Sequence, residues 1–341
     1  MTMTIKMDQA KELVLDVIRA RLVPFLQSSP GIGKSSLARE IAEENKLQLI
    51  DIRLSQMDPS DLQGLPFKHQ DTNKAVYAPM SLFPLRGEDI PEGKEGWLLL
   101  LDEFNSSTPA VQAAAYRVVL DRQVGQYDLH PRCLIMAAGN LATDKAIVSR
   151  VGTAMQSRLV HFTVDVDAKV WGRWADRSGI DHRVKSFINW KPEALHQFDP
   201  NHQDSTFACP RTWDFVSRLV QPYDVLPAEK LPLIAGAIGE GMGREFFGFT
   251  KIYSELPDIH AIQRDPEGIT LPDEPSVHHA LSGLVAYHMT LRNADNLIKF
   301  LKRLSIDYQV LSLRSCIARV PDIRQSEAVR EWIRANASEL M

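Results

Sequence analysis

Trp97-Leu98-Leu99-Leu100-Leu101, followed at once by Asp102-Glu103, constrains the fold more than any other stretch of the chain. A strand apolar at every position has to be covered on both faces, and such strands belong to parallel sheets sandwiched between helices. Its five apolar residues fall far short of the ~20 that a membrane span requires. The run therefore reads as an inner strand whose carboxyl end carries two acids.

Further apolar runs at 22–27, 47–54, 133–138 and 159–164 read as strands, and the amphipathic patterns at 9–20, 33–44 and 109–121 as helices between them. Alternation of this kind predicts βαβ units and a parallel sheet of five strands, an α/β fold. After position 166 strand-like runs become scarce. Helical periodicity takes over at 170–177, 212–219, 231–247, 277–291, 295–305 and 327–337, while the proline-rich, charged stretch 259–275 reads as a linker or long loop. The expected organisation is an α/β domain at 1–165, an all-helical region at 166–255 and a C-terminal helical extension at 256–341.

At 341 residues the chain has material for two or three domains. Lys plus Arg number 39 against 43 Asp plus Glu, a net charge of −4, which argues against a protein that coats nucleic acid. The three cysteines are far apart in sequence and form no disulfide framework, so a reducing, cytoplasmic setting is expected. Residues 1–8 lack the charged-then-apolar pattern of a secretory signal, and no membrane association is expected.

Ser29-Pro30-Gly31-Ile32-Gly33-Lys34-Ser35-Ser36 lies between an apolar strand and a helix. Backbone N–H groups of such a glycine-rich turn, with the free N–H groups and dipole of the following helix, make a cradle for phosphates. Lys34 would reach the β- and γ-phosphates of a nucleotide and the Ser35 hydroxyl would bind Mg²⁺. The usual pattern opens with a glycine where this chain has Ser28. Because ligands of doubly wound sheets sit beyond the carboxyl ends of the strands, Asp102 is expected beside this loop as a Mg²⁺ partner, with Glu103 as the general base for an attacking water.

Asn140 ends the apolar run at 133–138 and is a candidate to hold that water or contact the γ-phosphate. Arg158, just before the run at 159–164, is a candidate arginine finger for a neighbouring subunit, with Arg150 as the second choice. Arg211, after Pro210, opens a helix in the helical region.

Taken together, the phosphate loop, Asp58-Pro59-Ser60-Asp61-Leu62-Gln63-Gly64-Leu65-Pro66, LLLLDEFN at 98–105, Pro109-Ala110-Val111-Gln112, AAGN at 137–140, Ser157-Arg158-Leu159 and Cys209-Pro210-Arg211-Thr212 resemble an AAA+ ATPase of the MoxR type over residues 20–220. The resemblance implies a five-stranded parallel core, a helical lid and hydrolysis of ATP with Mg²⁺. By position, Lys34 and Ser35 match Walker A, Asp102 and Glu103 Walker B, Asn140 sensor 1, Arg158 the arginine finger and Arg211 sensor 2. It further implies a homo-oligomeric, hexameric ring that remodels a protein client, often with a partner carrying a von Willebrand factor A domain. Ser157 and Leu159 depart from the Asp and Phe common around the finger. A nucleic-acid-dependent NTPase is the alternative, and a self-contained small-molecule kinase a third reading. Within 74–85, Tyr77 and Phe83 are expected either to line a central pore or to pack on their own domain.

Three other groupings have plainer explanations. His278, His279 and His288 lack the i, i+4 spacing of a helical ligand pair. Arg173, Arg177, Arg183 and Lys185 near Trp171, Trp174 and Trp190 read as a helix core stripe with solvated charges rather than as a nucleic-acid patch. Gly236, Gly239, Gly241 and Gly243 follow no strand and read as sites of close helix packing.

Overall fold

The computed structural model describes residues 3–71, 73–144, 151–201 and 204–340. The chain passes from one compact unit to another between Asp165 and Val166.

The first unit runs β1 (Thr4–Lys6), α1 (Met7–Arg19), β2 (Val23–Ser28), α2 (Lys34–Glu44), β3 (Leu47–Arg53), α3 (Pro59–Gln63), β4 (Leu65–Lys68), β5 (Ala75–Ala78), β6 (Gly96–Asp102), α4 (Pro109–Leu120), β7 (Gln123–Val124), β8 (Tyr127–Asp128), β9 (Cys133–Asn140), α5 (Thr153–Gln156) and β10 (Leu159–Asp165). Six strands form one parallel sheet in the order β1-β10-β2-β9-β6-β3. The pairs β4–β5 and β7–β8 are separate antiparallel hairpins.

The sheet therefore has one strand more than the five expected. The addition, β1, carries a single buried apolar residue, Ile5, too little for hydrophobic alternation to reveal it, and it is held at the edge by pairing with β10 from Thr4↔Thr163 to Lys6↔Asp165.

Leu98 to Leu101 of β6 are fully buried. Trp97, Leu99 and Leu101 face one side with Phe25, Ile135 and the apolar stripe of α4 (Val111, Ala115, Val118). Leu98 and Leu100 face the other with Val14 of α1 and Leu37 and Ile41 of α2. Burying four leucines contributes on the order of 10 kcal/mol gross, as much as a domain's whole net stability, and this fixes β6 in the sheet interior. The register aligns Ser28 with Asn140 and Arg53 with Asp102. The carboxyl ends of β2, β9, β6 and β3 thus share one edge.

The second unit is helical: α6 (Ala168–Arg177), α7 (His182–Trp190), α8 (Pro210–Val220), α9 (Leu231–Ile238), α10 (Glu240–Glu255), α11 (Ile259–Arg264), α12 (Pro275–His288), α13 (Ala294–Leu301), α14 (Ile306–Arg319), α15 (Glu327–Ala335) and α16 (Ala337–Leu340). One hydrophobic cluster gathers Trp171, Phe187, Trp213 and Phe246, and another Leu281, Leu297, Phe300 and Trp332.

Three features differ from the periodicity. The single helix expected at 231–247 is two, because Gly239 takes φ 89° and turns the chain. The returning helix packs so closely that a Cβ on Gly243 would lie 2.9 Å from the Cα of Ala235. The stretch expected as a linker from 259 begins with α11, whose Ile259 and Ile262 are one helical turn apart and buried. Helices α7 and α14 have no counterpart among the expected helices. The first is obscured by its charges, of which Arg183 and Lys185 turn inward: Arg183 binds Asp181, and Lys185 binds Asp176 and Ser315. Those bonds remove two cations from the conceivable nucleic-acid patch and correct the expectation that these charges are solvated; Trp171 is buried in the core, whereas Trp190 is exposed. No helix among the described residues is long and apolar enough to cross a membrane.

Candidate active site

The glycine-rich loop leaves β2 at Ser28 and enters α2 at Lys34. Gly31 and Gly33 adopt φ 78° and 114°, values that side chains with a Cβ rarely tolerate. Ser28 needs no such freedom. It is the last strand residue, paired with Asn140 in extended backbone, which explains how this chain replaces the usual first glycine. The Ser28 hydroxyl is in turn used: the ammonium of Lys34 donates to it at 2.9 Å and to the Ser28 carbonyl at 3.2 Å.

Lys34 also donates to Oδ1 of Asn140 at 3.3 Å, although the two residues are far apart in sequence. Its side chain is buried, and these oxygens hold the ammonium at the carboxyl edge of the sheet. The start of α2 provides N–H groups with no intrahelical partner, including those of Ser35 and Ser36, directed toward the loop.

The Ser35 hydroxyl donates to Oδ2 of Asp102 at 2.6 Å. Hydroxyl and carboxylate oxygens in contact at a strand end form a hard-oxygen pair of the kind Mg²⁺ takes together with phosphate oxygens. The residues present therefore fit both a nucleotide phosphate and its cation. Glu103 follows in left-handed backbone, φ 54°, a strained state for a residue with a side chain. Its N–H donates to Oδ1 of Asp102 at 2.8 Å, and its carboxylate accepts the hydroxyl of Ser55, which follows β3. Nearby, burial pushes the Asp51 carboxyl up from its ordinary value, and the charge of Asp102 adds to the shift.

Asn105, two residues after Glu103, is buried and bonds both peptide groups of Asn140. Sequence reasoning assigned no role to Asn105 or Ser55. Their only signals are their positions just after the ends of β6 and β3, which become meaningful once the sheet order is known.

Arg158 stands apart from this cluster. It precedes Leu159, which pairs with Val23 at the amino end of β2. The phosphate loop begins at the other end of β2, five residues on, or roughly 17 Å at ~3.3 Å per residue. The Arg158 guanidinium lies over the Tyr116 ring, 4.9 Å from its centre, and is exposed. In this position it does not reach the glycine-rich loop of its own chain. Arg150 lies outside the described residues. Arg211 is exposed in the first turn of α8, a helix anchored by buried Trp213, whose indole donates to the Ala194 carbonyl at 2.8 Å. Of the two aromatics at 74–85, Phe83 is buried in the core of the α/β unit, while Tyr77 is exposed on β5. Among the described residues, no cluster of His, Cys, Asp and Glu forms a metal site.

The chain matches no family model, and no curated protein matches it. Among solved structures, a "putative ATPase" of Cytophaga hutchinsonii aligns over 99% of this chain and 91% of its own, at 14% identity and a TM-score of 0.38. Two mutants of RuvB from Thermotoga maritima align over 97% and 96% of this chain and 88% and 86% of their own, each at 14% identity and a TM-score of 0.34. None of these reaches a TM-score of 0.5, so the functional argument rests on the site itself. What the fold and the site define is an α/β unit with a glycine-rich, lysine-bearing loop at the carboxyl edge of a parallel sheet, joined in sequence to a helical unit.

Proposed function

We propose that the chain is an AAA+ ATPase of the MoxR type that hydrolyses ATP to ADP and phosphate. The observation that carries this reading is the convergence of Lys34 with Asn140 and of Ser35 with Asp102 at one edge of the sheet. These residues come from three separate sequence blocks, and a generic glycine turn would not require any of them to meet.

In this reading the N–H groups of residues 31–36 and the Lys34 ammonium bind the phosphates, with Ser29 and Pro30 shaping the loop. Ser35 and Asp102 hold Mg²⁺, which supplies positive charge against the phosphate oxygens. Glu103 accepts a proton from the attacking water once its carboxylate leaves the Ser55 hydroxyl, and the Asn140 carboxamide orients that water. Arg158, placed at the far end of β2, acts on the nucleotide of a neighbouring subunit in a ring, taken as hexameric from the family pattern. Arg211 reports the γ-phosphate to a lid at 166–255, with 256–341 as a helical extension. A protein client and a partner with a von Willebrand factor A domain follow from the same resemblance, and a cytoplasmic setting from the three dispersed cysteines.

Two variants test the site. Glu103→Gln is expected to bind ATP and lose about 10²–10⁴-fold in turnover, and normal turnover would remove Glu103 from the mechanism. Lys34→Ala is expected to lose nucleotide binding, and an unchanged affinity would defeat the phosphate-loop assignment. Specific activity that climbs with protein concentration supports Arg158 acting between subunits, whereas a monomer with flat specific activity sinks it.

A further inference from the structure

The β6–β9 ladder ends at Leu101↔Ala137, yet β9 runs on to Asn140. Past that point the chain of β6 turns away through left-handed Glu103, leaving the last peptide groups of β9 without a strand on that side. Asn105 takes the strand's place. Its Nδ2–H donates to the Asn140 carbonyl at 2.7 Å, and its Oδ1 accepts the Asn140 N–H at 3.0 Å. A carboxamide offers one donor and one acceptor side by side, which is what a neighbouring strand offers a peptide. The fit is closed by Gly139, where a Cβ would come within 2.3 Å of Oδ1 of Asn105.

The clamp joins two parts of the site. Asn105 belongs to the turn that carries Glu103, and Asn140 holds the Lys34 ammonium through its own carboxamide. A shift of that turn moves Asn105, and with it the backbone of Asn140. Cutting the clamp leaves both peptide groups of Asn140 without this partner in a partly buried place, and an unpaired peptide group there favours a shift of the strand end.

We propose that Asn105 is a positioning residue for hydrolysis: it fixes the end of β9 so that the Asn140 carboxamide stays beside Lys34 and in register with Glu103. This inference rests on the ATPase reading of the same site. Asn105 itself touches no reacting atom.

The test uses the full chain and measures steady-state ATP turnover, equilibrium ATP affinity and Tm for Asn105→Asp, Asn105→Ala, Asn140→Ala and the Asn105→Ala/Asn140→Ala pair. Asn105→Asp keeps the size of the side chain but sets a carboxylate oxygen against the Asn140 carbonyl. Both Asn105 variants are expected to lower kcat about 10- to 100-fold, with KM and ATP affinity within about threefold of wild type. In the Asn140→Ala background, removing Asn105 is expected to cost less than about threefold more, because its effect passes through Asn140. A full, additive loss in that background would reduce Asn105 to a structural role and overturn the proposal. Unchanged kcat in both Asn105 variants, beside an inactive Glu103→Gln, would overturn it while leaving the ATPase reading in place. A fully active Glu103→Gln would remove the reading on which it rests. If Asn105→Ala fails to fold, Asn105→Ser replaces it in the single and double variants.

Discussion

The polar side chains gathered in the α/β unit come from distant positions, Ser28, Lys34, Asp102, Asn105 and Asn140, whereas the ion pairs inside the helical unit join residues closer in sequence, buried Asp181 with Arg183 and half-buried Asp176 with Lys185. Parallel register creates the first set, since strands remote in sequence end along one edge. The second set does local architectural work. Arg183 forks onto Asp181 at 2.8 and 2.9 Å and donates to the carbonyls of Val220 and Tyr223, closing the end of α8. Burial pushes the Asp181 carboxyl up, but the Arg183 hydrogen bonds and the charges of His182 and Arg183 outweigh it and hold the group below its ordinary value. Polar groups assembled across the sheet edge are thus set apart from groups that close the end of a helix.

That distinction can be broken most sharply at Arg183. Arg183→Ala leaves Asp181 buried without its counter-charge, and a loss of about 3–5 kcal/mol is expected in chemical denaturation. Thermal unfolding of the α/β unit's own polar cluster is probed separately by Ser28→Ala, and a loss there as large as that of Arg183→Ala would mean that the two sets of polar groups do not differ in structural weight.

A smaller effect is expected from pH. The His182 ring packs between Tyr253 and Tyr287 with centroids 5.1 and 4.7 Å away. Burial pushes its pKa down to about 4, with Asp181 opposing and Arg183, His288 and Lys185 adding to the shift. The unfolded chain takes up this proton near pH 6.5 and the folded chain only near 4. The unfolded state therefore binds more protons between those values, and stability falls as pH falls through that window, by up to about 3 kcal/mol. His279, which burial also pushes down to about 4, adds to the same slope, so His182→Gln is expected to reduce the slope in melts between pH 7 and 4.5 without abolishing it; an unaltered slope would place the acid sensitivity elsewhere.

The smallest effect is expected at the surface of the α/β unit. Lys11 bridges Glu40 and Glu44 at 2.8 and 2.6 Å, with partners 32% and 50% exposed. Lys11→Ala is expected to cost less than about 1 kcal/mol, and less still in high salt. A larger, salt-insensitive loss would show that exposure is not what separates this pair from Asp181–Arg183.

Much of the fold was legible because its signals are local. Trp97–Leu101 could satisfy its burial only inside a two-faced sheet, and Gly31 and Gly33 mark backbone that other residues avoid. The short edge strand β1 was not legible, because an edge of three residues carries almost no pattern. Helix α7 was hidden because a cation paired inside the fold reads in sequence like a solvated one.

By itself, the sequence determined the α/β-then-helical order, the glycine loop and the acids at the end of β6, since each follows from residue types within a single stretch. Only the tertiary structure decided that Lys34 meets Asn140, that Arg158 lies at the opposite end of β2 from the loop, and that Asn105 stands in for a missing strand. Those relations depend on the order and register of strands far apart along the chain. A strand buried on both faces, as β6 is, has no polar–apolar alternation to fix its register, so its alignment depends on long-range packing and pairing.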